Sequence, residues 1–222
     1  MRDTIVFDLD GTIADTAGDL IAAANAAMVE LGHGASLVPG ADDATAFRGG
    51  RAMLALAVQR RGLADGDAIV EAGYPILLEA YGRAIDVHTV LYPGVVAAVD
   101  RLRARGVATA ICTNKPEALA VRLIDRLGLA HLFDALVGAD TLPVRKPDPA
   151  PLREAVARAG GLASRALLVG DTETDRLTAR AAGMPCILVT FGPDGDDVAR
   201  LRPEALLRHY DELDAACLRL LP

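Results

Sequence analysis

Two aspartates, Asp8 and Asp10, stand two residues apart where the apolar run Ile5-Val6-Phe7 breaks into Asp8-Leu9-Asp10-Gly11-Thr12. In extended chain, residues i and i+2 point to the same side. The two carboxylates therefore project together while Leu9 turns back toward the core. At the carboxyl end of a parallel strand, such a pair opens into the crevice where α/β folds bind ligands. The Asp-Gly step also reads as a plain turn, so the pair draws its weight from company. A second apolar run ends in acid as well, at Gly170-Asp171-Thr172-Glu173-Thr174-Asp175. Asp171 with Asp8 makes a hard oxygen site suited to Mg²⁺. Asp175 fits either the acidic partner of a Thr172 helix cap or an outer ligand of the ion, and Glu173 reads as solvated. Three carboxylates in one crevice repel an anionic substrate unless cations offset them. Mg²⁺ is one such cation. Lys146 is another, framed by prolines in Arg145-Lys146-Pro147-Asp148-Pro149 that favour an extended, fixed loop. Thr113-Asn114-Lys115-Pro116 follows a strand-like run and opens a helix. A hydroxyl with free N–H groups at a helix start can serve as an oxyanion site, as an ordinary cap, or as both.

These residues need a scaffold that brings four distant segments to one edge. Apolar runs at Ile5–Phe7, Val107–Cys112, Ala135–Val137, Ala166–Val169 and Cys186–Val189 alternate with helical patterns at Val95–Arg105, Glu117–Leu127 and Asp148–Ala159. Short continuous apolar strands alternating with helices predict a parallel sheet covered on both faces. Residues 16–85 break the alternation. They read as helices alone, near Gly18–Leu31, Arg51–Arg61 and Asp67–Tyr81. The expected organisation is an α/β core of residues 1–15 and 86–222 interrupted by an all-helical insert over 16–85.

Composition narrows the function classes. The 222 residues are 52% hydrophobic and 24% charged, with a net charge of −7, which suits a soluble globular protein and not a disordered one. An acidic chain gains nothing from counterion release, so nucleic acid is not an expected partner. Cys112, Cys186 and Cys217 show no paired spacing for a disulfide framework or zinc ribbon. The four histidines, His33, His88, His131 and His209, show no metal spacing. Neither a signal peptide nor a membrane-length apolar stretch is legible, so a cytoplasmic location is expected.

The four chemical elements, in this order and spacing, resemble the haloacid dehalogenase superfamily. Phe7-Asp8-Leu9-Asp10-Gly11-Thr12-Ile13-Ala14-Asp15-Thr16 matches its first motif, Thr113 its second, Lys146 its third, and Gly170-Asp171-x-x-x-Asp175 its fourth. The resemblance implies a Rossmann-like core of strand order 5-4-1-2-3 with a helical cap hinged near Ala14–Ala17 and Tyr81–Leu91. It implies that Asp8 is a nucleophile forming an aspartyl-phosphate and that Asp10 is a general acid–base. Mg²⁺ would lie among the Asp8 side chain, the Asp10 backbone carbonyl and Asp171, with Asp175 acting through water. Thr113 and Lys146 would bind phosphoryl oxygens. A carboxylate at Asp10 disfavours carbon–halogen cleavage. The lack of lysine between Thr16 and Tyr81 disfavours phosphonate cleavage.

Finer segments resemble the phosphoglycolate phosphatase group, namely Cys112-Thr113-Asn114-Lys115-Pro116, Leu91-Tyr92-Pro93-Gly94, Thr178–Pro185 and Val189-Thr190-Phe191-Gly192. That likeness implies a Mg²⁺-dependent phosphomonoesterase for a small metabolite such as 2-phosphoglycolate. Asn114 would bind substrate, and Arg51, with Arg48 as its competitor, would read the substrate carboxylate from the cap. A sugar-phosphate phosphatase or a β-phosphoglucomutase-like phosphomutase is the alternative. A non-hydrolytic phospho-acceptor module is a third class, against which Asp10 and the helical insert count.

Overall fold

The computed structural model describes residues 2–221 and divides into two compact units, one formed by the chain up to Ala14 and from Leu91 onward, the other by Asp15–Val90. The sequence had put these limits at 15–16 and 85–86. The first unit is built on six parallel strands, β1 (Arg2–Phe7), β4 (Ala108–Cys112), β5 (Ala135–Val137), β6 (Gly161–Gly170), β7 (Cys186–Val189) and β8 (Ala205–Leu207), in the order β5-β4-β1-β6-β7-β8. Counting core strands alone, this is the expected order with a sixth strand added outside the fifth. β1 is central, and Phe7 lies level with Ile111 on one side and Val169 on the other. That register sets the ends of β1, β4 and β6 side by side, so Asp8, Thr113 and Asp171 emerge from one edge.

The strands form because their residues are apolar on both faces. Val6, Ala110, Leu168 and Leu188 join Leu152 and Ala155 of helix α7 (Ala150–Arg158) and Ala179 of helix α8 (Glu173–Ala182) in one buried cluster. Alternate residues such as Ile5, Phe7 and Ile111 are equally buried. Helix α5 (Val95–Ala104) packs against β4 and against the last helix, α9 (Leu213–Leu220). Helix α6 (Glu117–Arg126) completes the unit beside β5.

Three details differ from the sequence reading. β6 begins at Gly161 rather than Ala166, because Gly161 pairs with Arg2 before a register shift ahead of Thr4. Helix α7 begins at Ala150, and Asp148 serves it by accepting the Ala150 N–H at 2.8 Å. β8 was not expected, since Ala-Leu-Leu carries no β-branched residue. It is a strand because β7 templates it, with Glu204 accepting the Cys186 N–H at 2.7 Å and returning its own N–H to the Cys186 carbonyl at 3.0 Å.

The second unit is helical throughout its interior, with α1 (Ala17–Glu30), α2 (Asp43–Ala46), α3 (Gly50–Arg61) and α4 (Gly66–Arg83). Ile21, Met28, Met53, Leu54, Leu77 and Tyr81 are buried in it. The short α2 was not expected. It starts next to Asp42, which accepts the Val38 N–H at 2.7 Å and pairs with Arg60 at 2.5 Å. The chain passes between the units at β2 (Ala14–Asp15) and β3 (Val90–Leu91), which pair with each other.

Candidate active site

The crevice at the carboxyl edge of β1, β4 and β6 collects nearly all the chemistry of the first unit. Asp8 is held there by its own backbone, whose N–H donates to the Val169 carbonyl at 2.8 Å, and by the Leu9 N–H, which donates to Asp8 Oδ1 at 2.7 Å. Lys146 reaches in from the loop before α7. Its Nζ lies 3.0 Å from Asp8 Oδ2 and 2.6 Å from Asp175 Oδ1, with the side chain 1% exposed. The Lys146–Pro147 peptide is cis. Asn114 donates from Nδ2 to the Lys146 carbonyl at 3.0 Å, tying the loop after β4 to the lysine loop.

Asp175 takes the cap role that the sequence offered and adds a contact with Lys146 that the sequence did not suggest. Its Oδ2 accepts the Thr172 N–H at 3.1 Å, the Thr172 hydroxyl at 2.8 Å and the Asp171 N–H at 3.2 Å, while Oδ1 faces Lys146. The side chain thus caps α8 and neutralises the lysine at once. Gly170 makes room for it, since a Cβ there would collide with the Asp175 carboxyl.

Asp171 is buried, and its Oδ1 accepts the Thr12 hydroxyl at 3.0 Å. Its Oδ2 is buried with no hydrogen-bond partner among the described residues. Gly11, at φ +78°, passes so close to this carboxylate that a Cβ would overlap it. Tyr210 secures the same loop by donating its hydroxyl to the Thr12 carbonyl at 2.8 Å. Thr12 was quoted from the sequence only as part of the first motif, without a role, and nothing in the spacing marks Tyr210.

Oxygens of Asp8, Asp171 and Asp175 lie within 4.8 Å of one another. With all three carboxylates ionised, the single Lys146 ammonium would leave two negative charges uncompensated. Burial is the main cause that pushes Asp8 up to about 7, helped by Asp175 and Asp10 and opposed by Lys146 and the Leu9 N–H. Burial likewise raises Asp171 well above the usual carboxylate range, with Asp175 and Asp8 adding to it. Burial works against the Lys146 ammonium, yet Asp175 and Asp8 outweigh it and its pKa is raised. An orphaned carboxylate oxygen and a surplus of two negative charges, all on hard oxygen donors, fit a small divalent cation.

The second motif brings Thr113 to the same edge. Its N–H donates to the Val137 carbonyl at 3.0 Å, and its Oγ1 accepts the Lys115 N–H at 3.1 Å. Asp10 does not join the carboxylate group of Asp8, Asp171 and Asp175. It pairs with Lys115, whose Nζ is 2.8 Å from Asp10 Oδ1. The sequence reading quoted Lys115 without giving it a role. A signal was present: the chain has 23 basic residues, of which Lys115 and Lys146 are the only lysines.

Arg51 and Arg48 both lie in the helical unit. Arg51 is exposed, forms an ion pair with Glu71, and sits over the Tyr74 ring at 4.2 Å from its centroid. The structure therefore gathers Asp8, Thr113, Lys146, Asp171 and Asp175 in the first unit with Asp10 nearby, uses Asn114 as a strap between loops, and engages Arg51 within its own unit. No helix among the described residues is long and apolar enough to cross a membrane.

A family model described as haloacid dehalogenase-like hydrolase matches residues 2–183. A phosphoglycolate phosphatase from Mesorhizobium japonicum is 42% identical over 220 residues, covering 96% of this chain and 93% of that protein. One from Cereibacter sphaeroides is 40% identical over 242 residues, covering 98% of each. A crystal structure described as a predicted phosphoglycolate phosphatase from Haemophilus somnus superposes with a TM-score of 0.81 at 24% identity, over 96% of this chain and 97% of that one, a likeness of fold.

Proposed function

The chain belongs to the haloacid dehalogenase-like hydrolases, and from that premise we propose that it is a Mg²⁺-dependent phosphatase of small metabolites whose substrate is 2-phosphoglycolate. The observation that carries the chemistry is the buried set Asp8, Lys146, Asp175 and Asp171, with an unpartnered oxygen on Asp171 and Thr113 at the same sheet edge. The names of relatives 40–42% identical along nearly the whole chain support the substrate.

In this reading Asp8 and Asp171 would hold the divalent cation, with Asp175 and the Asp10 carbonyl as its further oxygen donors. When bound, the cation neutralises charge on the transferring phosphoryl group and on the carboxylates around it. Lys146 and the Thr113 hydroxyl hold phosphoryl oxygens, so the phosphorus is presented to Asp8. An Asp8 oxygen attacks phosphorus as the ester P–O bond breaks, and the leaving oxygen takes a proton from Asp10. Asp10 then removes a proton from water. That water attacks the aspartyl-phosphate, the P–O bond to Asp8 breaks, and inorganic phosphate leaves with the Asp8 carboxylate restored. The helical unit, residues 15–90, is the cap. The enzyme works in the cytoplasm and takes no nucleic acid partner.

The test is steady-state phosphate release from 2-phosphoglycolate, 3-phosphoglycerate, glucose phosphates and pyrophosphate, with and without Mg²⁺, using wild type and Asp8→Asn. Mg²⁺-dependent release that peaks on 2-phosphoglycolate and vanishes in Asp8→Asn is expected. A peak on another substrate refutes the substrate, and release that survives Asp8→Asn refutes the nucleophile.

A further inference from the structure

We propose that Lys115 is the specificity cation that reads the substrate's carboxylate, from the leaving-group side of the crevice. The inference rests on the reading of the site as a phosphatase for an acid-bearing phosphomonoester, and it names a residue for that selectivity.

The chain's use of basic residues is the first argument. Every basic position but two is arginine, and the two lysines, 115 and 146, are both buried at this one crevice. No arginine is buried among the described residues. Arginine and lysine are not interchangeable. Lysine offers a compact charge with three rotatable donors, whereas arginine presents a broad planar fork. A chain that meets its surface needs with arginine has kept ammonium groups at two buried positions, which marks both as fitted to small anionic oxygens rather than to general charge balance.

The two ammonium groups face different carboxylates. Lys146 bridges Asp8 and Asp175, on the side of the nucleophile. Lys115 Nζ is 2.8 Å from Asp10 Oδ1, on the side of the leaving group. Asp10 must meet the ester oxygen to protonate it. In 2-phosphoglycolate the carboxylate is joined to that oxygen through one methylene carbon, so a cation touching Asp10 is within reach of it. A lysine ammonium carries three donors on one compact charge, so its contact with Asp10 does not restrict Lys115 to a single carboxylate.

Its mounting is rigid. The Lys115 N–H donates to Thr113 Oγ1 at 3.1 Å and its carbonyl accepts the Ala139 N–H at 2.9 Å. Backbone bonds thus pin the residue between the loops that follow β4 and β5, just before Pro116 opens α6. The side chain itself is 4% exposed. A buried ammonium is costly to desolvate, and Asp10, 18% exposed, can share the ion with an incoming anion. The exposed Arg51 is meanwhile engaged with Glu71 and Tyr74.

The experiment crosses a charge deletion in the enzyme with one in the substrate. Wild type, Lys115→Met and Lys115→Arg are assayed on 2-phosphoglycolate and on its neutral isostere 2-phosphoglycolamide, and each variant is first checked for a cooperative melt. Wild type is expected to prefer the acid. Lys115→Met should lower the acid-to-amide ratio of kcat/KM by about tenfold to a hundredfold, chiefly through KM, and Lys115→Arg should keep part of it. A ratio unchanged in Lys115→Met overturns the proposal, because both substrates then fall together and Lys115 only orients Asp10. A wild type without preference overturns the underlying substrate reading instead, before any variant is made. A second readout needs no change at residue 115. In Asp8→Asn protein labelled with ¹⁵N at the lysine side chains, two ammonium signals exist. The acid should move both and the amide only that of Lys146; equal movement of both signals by the amide refutes the assignment.

Discussion

Removing divalent cation from this protein should make its stability fall as pH rises, the reverse of ordinary carboxylate behaviour. Asp8 takes up its proton near 7 in the folded chain and at 3.8 when free of its surroundings, burial being the main cause of the rise. Between those values the folded state binds more protons than the unfolded one, so this stabilisation is complete below 3.8 and disappears as pH climbs through 7. At pH 5, two units below the folded value, it amounts to about 2–3 kcal/mol; by pH 8 it is gone. For a chain of this length that corresponds to roughly 5–10 °C in melting temperature. Asp171, also raised, acts in the same direction. The assay is a set of thermal melts between pH 5 and 8 in chelator, for wild type and Asp8→Asn. The margin of wild type over Asp8→Asn should shrink with rising pH, and saturating Mg²⁺ at pH 8 should restore the wild type. Parallel curves for the two proteins across that range would refute the claim that Asp8 is buried in an undercompensated acidic cluster.

Lys146→Met removes the ammonium that bridges Asp8 and Asp175; kcat should fall about 10²–10³-fold in phosphate-release assays, and a fall of less than tenfold would deny it the phosphoryl group. Thr12→Val leaves the Asp171 carboxylate without its hydroxyl donor, so calorimetry should show weaker Mg²⁺ binding and urea melts a loss of about 1–3 kcal/mol. Gly11→Ala forces a methyl into the Asp171 carboxylate at positive φ, and should cost at least about 1–2 kcal/mol together with much of the metal affinity. Asp10→Asn should retain turnover of p-nitrophenyl phosphate far better than of an alkyl phosphate, since a good leaving group needs little proton donation; equal losses on both would remove Asp10 from the acid's role.

The sequence by itself determined the sheet-forming runs and the chemical residues at their ends, because both depend on local rules. Ile5-Val6-Phe7 must bury, and the polar break after it must surface where the strand stops. The same logic made Asp171, Thr113 and Lys146 legible, and helical periodicity separated the interior of residues 15–90 from the α/β alternation. Tertiary structure decided what no local pattern encodes. β8 exists because β7 and Glu204 supply its hydrogen bonds, although Ala-Leu-Leu favours no strand. Asp175 is both cap and counterion because α8 begins where the Lys146 loop crosses it. Asn114, read from the sequence as a substrate ligand, also donates from its amide to the Lys146 carbonyl. Thr12, Tyr210 and Lys115 gained their roles only when residues as far apart as Thr12 and Tyr210 were brought into contact. Hydrogen bonds and ion pairs act over about 3 Å, so which side chain meets which is set by the packing of strands distant in sequence, while the residue types available to meet were legible from the start.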